Sequence, residues 1–196
     1  MNNVIKDVCV YCAPSTKIPS VYFDAAERLG QLLAEQGINL INGAGRQGLM
    51  GRISDATLAC GGTVTGVIPH FMVEQGWHHH GLTRLIETET MHERKQLMAE
   101  LSDGVIALPG GCGTMEELLK IITWKQLGLY LNPIIILNTD GFYDPLLTLL
   151  KQAIGQNFMR REHENIWQVA STPEEAVDLL YVTPVWNKEI RKFAAV

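Results

Sequence analysis

A glycine-rich loop between an apolar run and a helical run is the segment of this sequence best suited to chemistry. It reads Leu108-Pro109-Gly110-Gly111-Cys112-Gly113-Thr114-Met115-Glu116-Glu117. The glycines at 110, 111 and 113 can adopt positive φ and carry no Cβ, so successive backbone N–H groups can turn toward one anion. Thr114 is predicted to cap the following helix, whose unpaired amides and positive dipole end favour the same anion. The segment therefore predicts a phosphate site.

The carboxylate of Glu117, just behind this loop, has two interpretations. It lies three residues after Thr114, the spacing of a capping box, in which it would only bind the Thr114 amide. Alternatively it is a catalytic acid or base beside the bound phosphate. Loss of a cap costs about 1 kcal/mol of stability, whereas loss of a catalytic acid or base costs about 10²–10⁴ in rate. Glu116 points elsewhere around the helix and is expected to be solvated.

A second charged cluster precedes the loop and reads Met91-His92-Glu93-Arg94-Lys95. Arg94 and Lys95 begin a predicted helix, where cations oppose the helix dipole. Such a position is unfavourable for cations that only decorate a surface, so it favours a role in ligand binding. The alternative is a salt bridge from these cations to Glu93 or Glu100.

A third loop satisfies the pattern GxGxxG and lies between an apparent strand and a helix: Gly43-Ala44-Gly45-Arg46-Gln47-Gly48. A dinucleotide site is disfavoured because the loop follows the second strand, and the end of the next strand offers no acid for a ribose diol. Glycines that serve only a tight turn are one alternative. The other, which we favour, is a loop in which Gly43 and Gly45 approach a mononucleotide.

Histidines and cysteines do not form a recognisable metal or redox site. The run His78-His79-His80 lacks an HExxH pattern or a cysteine pair, and adjacent residues rarely converge on one ion. Cys9 and Cys12 match CxxC but lie inside the predicted first strand, where positions three apart point to opposite faces. We expect free thiols, no metal and no cofactor.

The whole chain has the composition of one folded domain. Its 196 residues are 46% hydrophobic and 19% charged, which suits a single core. A formal net charge of −5 argues against binding of nucleic acid polymers. No signal peptide or bilayer-length apolar run is present, so we expect a cytoplasmic protein without membrane contact. We assign residues 1–182 to the domain and 183–196 to a tail that frays or lies on a partner subunit.

Strand and helix patterns alternate along the chain. The predicted strands are 8–12, 38–41, 64–68, 85–87, 105–108, 134–137 and 166–170, and the predicted helices are 22–36, 48–59, 92–101, 114–127, 143–154 and 173–181. Strands as apolar as Ile134-Ile135-Ile136-Leu137 suit a parallel sheet covered on both faces. We therefore predict an α/β, Rossmann-like, doubly wound and mainly parallel sheet flanked by helices on both faces, with ligands at the carboxyl ends of the strands. Trp124 and Leu127 fall at positions typical of packing or of a subunit interface.

With these motifs identified, the chain resembles the Lonely Guy (LOG) family, the cytokinin-activating nucleoside 5'-monophosphate phosphoribohydrolases long mislabelled as lysine decarboxylases. The cluster at 91–95 resembles the family's MHxRK, and the loop at 109–117 resembles PGGxGTxxE. Supporting similarities are Gly48-Leu49-Met50-Gly51, Ser102-Asp103 and Ile122-Thr123-Trp124-Lys125-Gln126-Leu127-Gly128. The resemblance extends from about Cys9 to Leu180.

The resemblance implies hydrolysis of the N-glycosidic bond of a purine ribonucleoside monophosphate, such as AMP or a cytokinin riboside 5'-monophosphate, to free base and ribose 5-phosphate. It makes Arg94 and Glu117 the catalytic pair, and it implies a Rossmann-like homodimer with sites near the subunit interface. The residues expected to bind the nucleotide or its phosphate are Gly43, Gly45, Lys95, Gly110, Gly111, Cys112, Gly113, Thr114 and Glu116. A small-molecule nucleotide is then the partner.

Two other functions remain as alternatives. One is a noncatalytic nucleotide or molybdenum-cofactor binding protein on the same fold, against which the intact Arg94 and Glu117 argue. The other is an NAD-dependent oxidoreductase, favoured only by the loop at 43–48. The chain also departs from the family at Cys12-Ala13-Pro14-Ser15, where a CGSS-like turn is usual, and at Ala44, which interrupts a common GGG run. Both departures bear on base preference and phosphate geometry more than on the reaction.

Overall fold

The computed structural model describes residues 3–187 and contains one fully parallel sheet in this part of the chain. The strands are β1 (Asp7–Tyr11), β2 (Asn39–Asn42), β3 (Val64–Pro69), β4 (Arg84–Thr88), β5 (Gly104–Ala107), β6 (Ile134–Leu137) and β7 (Gln168–Ala170). The helices are α1 (Ser20–Glu35), α2 (Gly48–Ala59), α3 (His70–Glu74), α4 (Met91–Glu100), α5 (Cys112–Gln126), α6 (Asp144–Gly155) and α7 (Pro173–Val182). The predicted elements are confirmed, with ends displaced by one or two residues.

The alternation of side chains along β1 explains why helices cover both faces of the sheet. Val8 and Val10 pack into a core with α1, α2 and α7, whereas Cys9 and Tyr11 pack into a second core with α4, α5 and α6. Successive strand residues point to opposite faces, so a strand that is apolar at every position needs a helical layer on each side. The predicted doubly wound α/β class is confirmed, as is the prediction that Cys9 and Cys12 lie on opposite faces.

The order of the strands places a crevice beside β1. The sheet runs β4-β3-β2-β1-β5-β6-β7, so the chain winds outward from β1 in one direction and then returns to its other side with β5. The loops that follow β1 and β5 leave toward opposite faces, and ligands of such sheets bind between them at the carboxyl ends. The glycine-rich loop after β5 and the GxGxxG loop after β2 both lie at this edge.

Two connecting segments add detail that periodicity did not predict. The stretch 70–81, predicted to be irregular, begins with the five-residue helix α3. A short 3₁₀ helix at Arg161–Asn165 precedes β7, which begins at Gln168 and not at residue 166 as predicted.

The first part of the predicted C-terminal tail lies on this same domain. The Trp186 amide donates to the Leu131 carbonyl at 3.0 Å, and the Trp186 side chain packs against the second core. The rest of the tail, 188–196, lies outside the described residues. Across residues 3–187, every helix is too short or too polar to cross a membrane.

Candidate active site

A cavity of about 580 Å³ opens at the carboxyl edge of the sheet, between the loops after β1, β2 and β5 and the first turns of α4 and α5. Most of the predicted site residues line it, namely Gly43, Gly45, Arg94, Lys95, Gly111, Gly113, Thr114, Glu116 and Glu117. Gly110 and Cys112 do not belong to its wall. Three motifs that are separate in sequence therefore meet around one space.

Helix α5 begins earlier than the sequence predicted. Its first residue is Cys112 and its N-cap is Gly111, so Thr114 is the third helical residue. The predicted Thr114 cap is wrong, and so is the capping-box interpretation of Glu117. The side chain of Thr114 instead packs against Gly110, where an added Cβ would lie 2.2 Å from Thr114 Oγ1. Gly110 is needed because that close approach leaves no space for a side chain.

The three loop glycines do not use positive φ, contrary to the expectation from composition. An added Cβ at Gly111 or Gly113 would meet no atom within 4 Å, so both leave the mouth of the cavity open. Positive φ is found instead at Gly48, next to the cavity-lining Gln47, at φ +63°, where a Cβ would lie 2.3 Å from the Pro14 carbonyl carbon. In the loop after β5, glycine is needed because a side chain would fill the space. In the GxGxxG loop, Gly48 is needed because the backbone has positive φ there.

The first turn of α5 presents amides without acceptors. The N–H groups of Cys112, Gly113 and Thr114 precede the first intrahelical hydrogen bond, which Met115 N donates to Gly111 O at 3.0 Å. Within residues 3–187 these three amides donate to no other group. Unpaired amides at the positive end of a fifteen-residue helix form an anion-binding position.

Arg94 spans three of the structural elements around the cavity. Its side chain is buried, with Nε donating to Val67 O of β3 at 3.0 Å and Nη2 donating to Gly43 O after β2 at 3.4 Å. Nη1 lies 3.7 Å from Glu117 Oε1 on α5. The guanidinium is therefore fixed in place and directed at the buried carboxylate.

The alternative salt bridges for the cations at 94 and 95 are absent from the described residues. Glu93 closes a capping box with Thr90, accepting the Thr90 amide, and Glu100 accepts from Gln96. Lys95 pairs instead with Glu116 across the mouth of the cavity. Glu116 is exposed, as predicted, but it has this cation as a partner.

Glu117 lies at the wall of the cavity with its side chain 11% exposed. Burial raises the pKa of this carboxyl above its ordinary value, and the positive charges of Arg94 and Lys95 oppose the rise. A carboxyl with a raised pKa beside a fixed cation is typical of groups that exchange protons or stabilise developing charge.

Sequence reasoning missed the apolar part of the wall, which is formed by Met50, Ile68, Met72, Trp77 and Met91. Trp77 arrives there because the segment after α3 pairs with the GxGxxG loop. Arg46 N donates to Trp77 O at 3.1 Å, and His79 N donates to Ala44 O at 2.8 Å. The position of this segment in the sequence could have indicated its place. It follows β3, and the carboxyl end of β3 lies beside that of β2 at the same edge of the sheet.

The histidine run 78–80 makes contacts within the segment after α3 and with its neighbours. His79 Nε2 lies 2.8 Å from Asp55 Oδ1, and the rings of His78 and His80 pack edge to face at 4.6 Å. Among residues 3–187 no group of three or more histidine, cysteine or acidic side chains could hold a metal ion.

Sequence comparisons with known proteins all point to the same family. Residues 50–180 match the family model described as "Possible lysine decarboxylase". The chain is 42% identical over 170 residues to cytokinin riboside 5'-monophosphate phosphoribohydrolase LOG of Oryza sativa subsp. japonica, covering 87% of this chain and 70% of the rice protein. It is 43% identical over 155 residues to the phosphoribohydrolase of that name from Rhodococcoides fascians, covering 79% of this chain and 78% of that protein.

Solved structures with the same fold include cofactor carriers. The molybdenum cofactor binding protein of Rippkaea orientalis superposes with a TM-score of 0.67 at 25% identity, covering 90% of this chain and 95% of that chain. The molybdenum cofactor carrier protein of Chlamydomonas reinhardtii superposes with a TM-score of 0.68 at 19% identity, covering 90% and 98%. The second likeness concerns the fold alone.

Proposed function

This chain belongs to the family of cytokinin riboside 5'-monophosphate phosphoribohydrolases, and on that premise we propose that it hydrolyses the N-glycosidic bond of a purine ribonucleoside 5'-monophosphate. The products are the free base and ribose 5-phosphate. The observation that carries the proposal is the buried carboxylate of Glu117, 3.7 Å from the Arg94 guanidinium, in a cavity that also holds the amide end of α5.

The 5'-phosphate binds at the start of α5 in this proposal. The unpaired amides of Gly113 and Thr114 lie at the cavity, and Gly111 keeps the approach free of a side chain. Lys95 supplies positive charge beside them, after exchanging its contact with Glu116 for the phosphate. A protein of formal charge −5 needs such local positive groups to hold an anionic nucleotide.

The chemical step is displacement by water at the anomeric carbon. The C1'–N bond breaks with its electron pair passing to the base, which takes up a proton, and a water oxygen bonds to C1' after losing its proton. Positive oxocarbenium character develops on the sugar, and the Glu117 carboxylate stabilises that charge or accepts the proton of water. Arg94 holds the carboxylate and the ribose in register.

The base lies against the apolar wall formed by Met50, Ile68, Met72 and Trp77. Flexible methionines adapt to ligands of different shape, and an aromatic ring offers a stacking surface for a purine. This wall suits both AMP and a cytokinin riboside 5'-monophosphate, whose base carries an additional apolar group.

The test is to incubate the protein with AMP and with N6-isopentenyladenosine 5'-monophosphate, and to quantify free base by chromatography. We expect release of base and an equal amount of ribose 5-phosphate. Glu117→Gln should reduce the rate by about 10²–10⁴ while the fold is retained, because the amide cannot act as a base. A wild-type protein that releases no base, or a Gln variant with full activity, would contradict the proposal.

The second candidate function is noncatalytic binding of a nucleotide or of the molybdenum cofactor. The likeness to the cofactor binding protein of Rippkaea orientalis, at 25% identity over nearly the whole fold, favours it. Such a carrier would bind AMP without consuming it, so the same chromatographic experiment separates the two functions.

We propose in addition that the protein is a homodimer. Leu119 on α5 and Leu127 at its C-cap are each 40% exposed, and Leu129, just beyond the helix, is 60% exposed. Apolar side chains are thus left uncovered on and directly after the helix that also carries Glu117. A second copy covering this surface would place the site near the subunit interface.

A further inference from the structure

We propose that Asn42 is a positioning residue for Arg94, acting through a left-handed backbone turn at Ala44. The inference rests on the proposed function, because Arg94 is the group that is positioned. It concerns neither of the two residues assigned to the chemical step.

Ala44 holds an unfavourable backbone conformation in the wall of the site. Its φ is +61°, and its side chain is fully buried. The other residues at positive φ in the described part of the chain, glycines aside, are Asp140 and Asn157. Asp and Asn tolerate this region, whereas alanine has no polar side chain to stabilise it and its Cβ lies too close to the following carbonyl oxygen there. Another group must hold the turn.

The side chain of Asn42 supplies that support. Asn42 Oδ1 accepts from Ala44 N at 2.9 Å, while Asn42 Nδ2 donates to Ser54 Oγ at 2.9 Å. Ser54 Oγ in turn donates to Met50 O at 2.8 Å, which fixes this network to α2. Asn42 and Ser54 are fully buried, so water does not compete for these hydrogen bonds.

The supported turn carries a carbonyl that Arg94 uses. Gly43 O, one residue before Ala44, accepts from Arg94 Nη2 at 3.4 Å. The guanidinium is so close that a Cβ on Gly43 would lie 1.8 Å from Nη2. A rotation of the peptides around Ala44 would therefore move the acceptor or push the guanidinium away from Glu117.

The turn is also packed from its other side. An added Cβ on Gly66 of β3 would lie 2.6 Å from the Ala44 Cβ. The turn is thus enclosed between β3 and the guanidinium, and its hydrogen bond to Asn42 decides which way the Gly43 carbonyl points.

The experiment is a double-mutant cycle between Asn42→Ala and Ala44→Gly, with kcat and KM for AMP measured in all four proteins. Asn42→Ala alone should lower kcat by about 100-fold, the scale of a misplacement of about 1 Å, with a smaller change in KM. In the Ala44→Gly background the same Asn42→Ala change should lower kcat less than about threefold. Glycine adopts positive φ without help, so it makes the side-chain support dispensable.

Ser54→Ala is the matched control, because it removes one partner of Asn42 but leaves the Asn42 Oδ1 to Ala44 N bond intact. We expect a loss of kcat much smaller than that of Asn42→Ala. A purely structural role for Asn42 predicts instead that glycine at position 44 does not restore kcat, since glycine adds backbone freedom to the unfolded chain without replacing any contact.

Equal losses of kcat from Asn42→Ala in both backgrounds would overturn the inference. If Asn42→Ala fails to fold, the double variant decides: a folded, active double variant supports the inference, and an unfolded or inactive one overturns it. A wild-type protein without base release contradicts the proposed function, whereas an active wild type with an unaffected Asn42→Ala variant contradicts only this inference.

Discussion

Glu117 is a carboxyl group that is buried yet close to positive charges, and burial and these charges shift its pKa in opposite directions. Its raised pKa means that the folded protein binds the carboxyl proton more tightly than the unfolded chain does. A residue retained for stability would be expected to show the opposite shift. A shift in this direction is typical of carboxyl groups at functional sites and agrees with the proposed role of Glu117.

We predict from this shift that Glu117→Gln stabilises the protein at alkaline pH. Wild-type stability relative to the variant should be greatest below about pH 4, the ordinary range of a glutamate, and should fall as pH rises through the raised folded pKa. Thermal unfolding at a series of pH values measures the difference, with about 2–4 °C for each kcal/mol in a domain of this size. Glu164→Gln is the control, since that side chain is exposed and lies outside the cavity wall. A difference that rises with pH would contradict the prediction.

Gly43 provides a second test at the residue scale. Gly43→Ala places a methyl group where the Arg94 Nη2 now lies, 1.8 Å from the ideal Cβ. The guanidinium must move, so we expect base release to fall by about 100-fold. Gly155→Ala, at the end of α6 with nothing within 4 Å of its Cβ, is the control and should retain the wild-type rate. A Gly43→Ala variant of full activity would show that the guanidinium position is not critical.

Among the helices, α5 differs in burial between its two ends. Its first turn is open to a ligand, while its last turn contains Lys125, fully buried, with Nζ donating to Asn132 O at 2.8 Å. Burial lowers the pKa of Lys125 to about 8. The helix is thus held at its far end by an ammonium group whose charged form is disfavoured.

We predict that Lys125→Met alters the pH dependence of stability. The folded pKa of about 8 lies below the unfolded value of about 10.4, so the wild type is penalised most below pH 8. Its stability relative to the variant should rise between about pH 8 and pH 10.4. Urea unfolding at pH 7, 8, 9 and 10 measures this, and Lys151→Met, on the exposed part of α6, is the control. A flat difference across that range would show that Lys125 is not desolvated.

In the whole molecule, α5 carries Glu117 at the cavity wall and also an exposed leucine, Leu119, on its surface. Leu127, the C-cap of this helix, is exposed to the same extent. In the proposed homodimer, a second copy of the chain covers these leucines.

We predict that Leu119→Glu weakens the proposed homodimer. A charge in the buried centre of an interface is left without a partner, so the variant should sediment as a monomer at concentrations where the wild type is dimeric. Analytical ultracentrifugation measures this. Val4→Glu, at a position 76% exposed before β1, is the control. A monomeric wild type would contradict the dimer itself.

The alternation of strands and helices could be predicted from the amino-acid pattern alone, because runs as apolar as 134–137 must be buried on both faces. Residue type and spacing also made Arg94, Glu117 and the glycines of both loops candidate site residues, and all of them except Gly110 and Gly48 line the cavity. Their roles in the reaction are predictions. The start of α5 did not follow from residue type: Thr114 is a good cap by type, yet the N-cap is Gly111, and the Thr114 side chain packs on Gly110.

How the motifs meet depends on the three-dimensional arrangement of the strands. Arg94 contacts residues from β3, from α5 and from the loop after β2 that are distant in sequence, and no local pattern encodes those distances. The apolar wall with Trp77 likewise depends on pairing between the loop after α3 and the loop after β2. Local propensity is a property of neighbours along the chain, whereas the site is made by the strand order, which brings separated loops to one edge of the sheet.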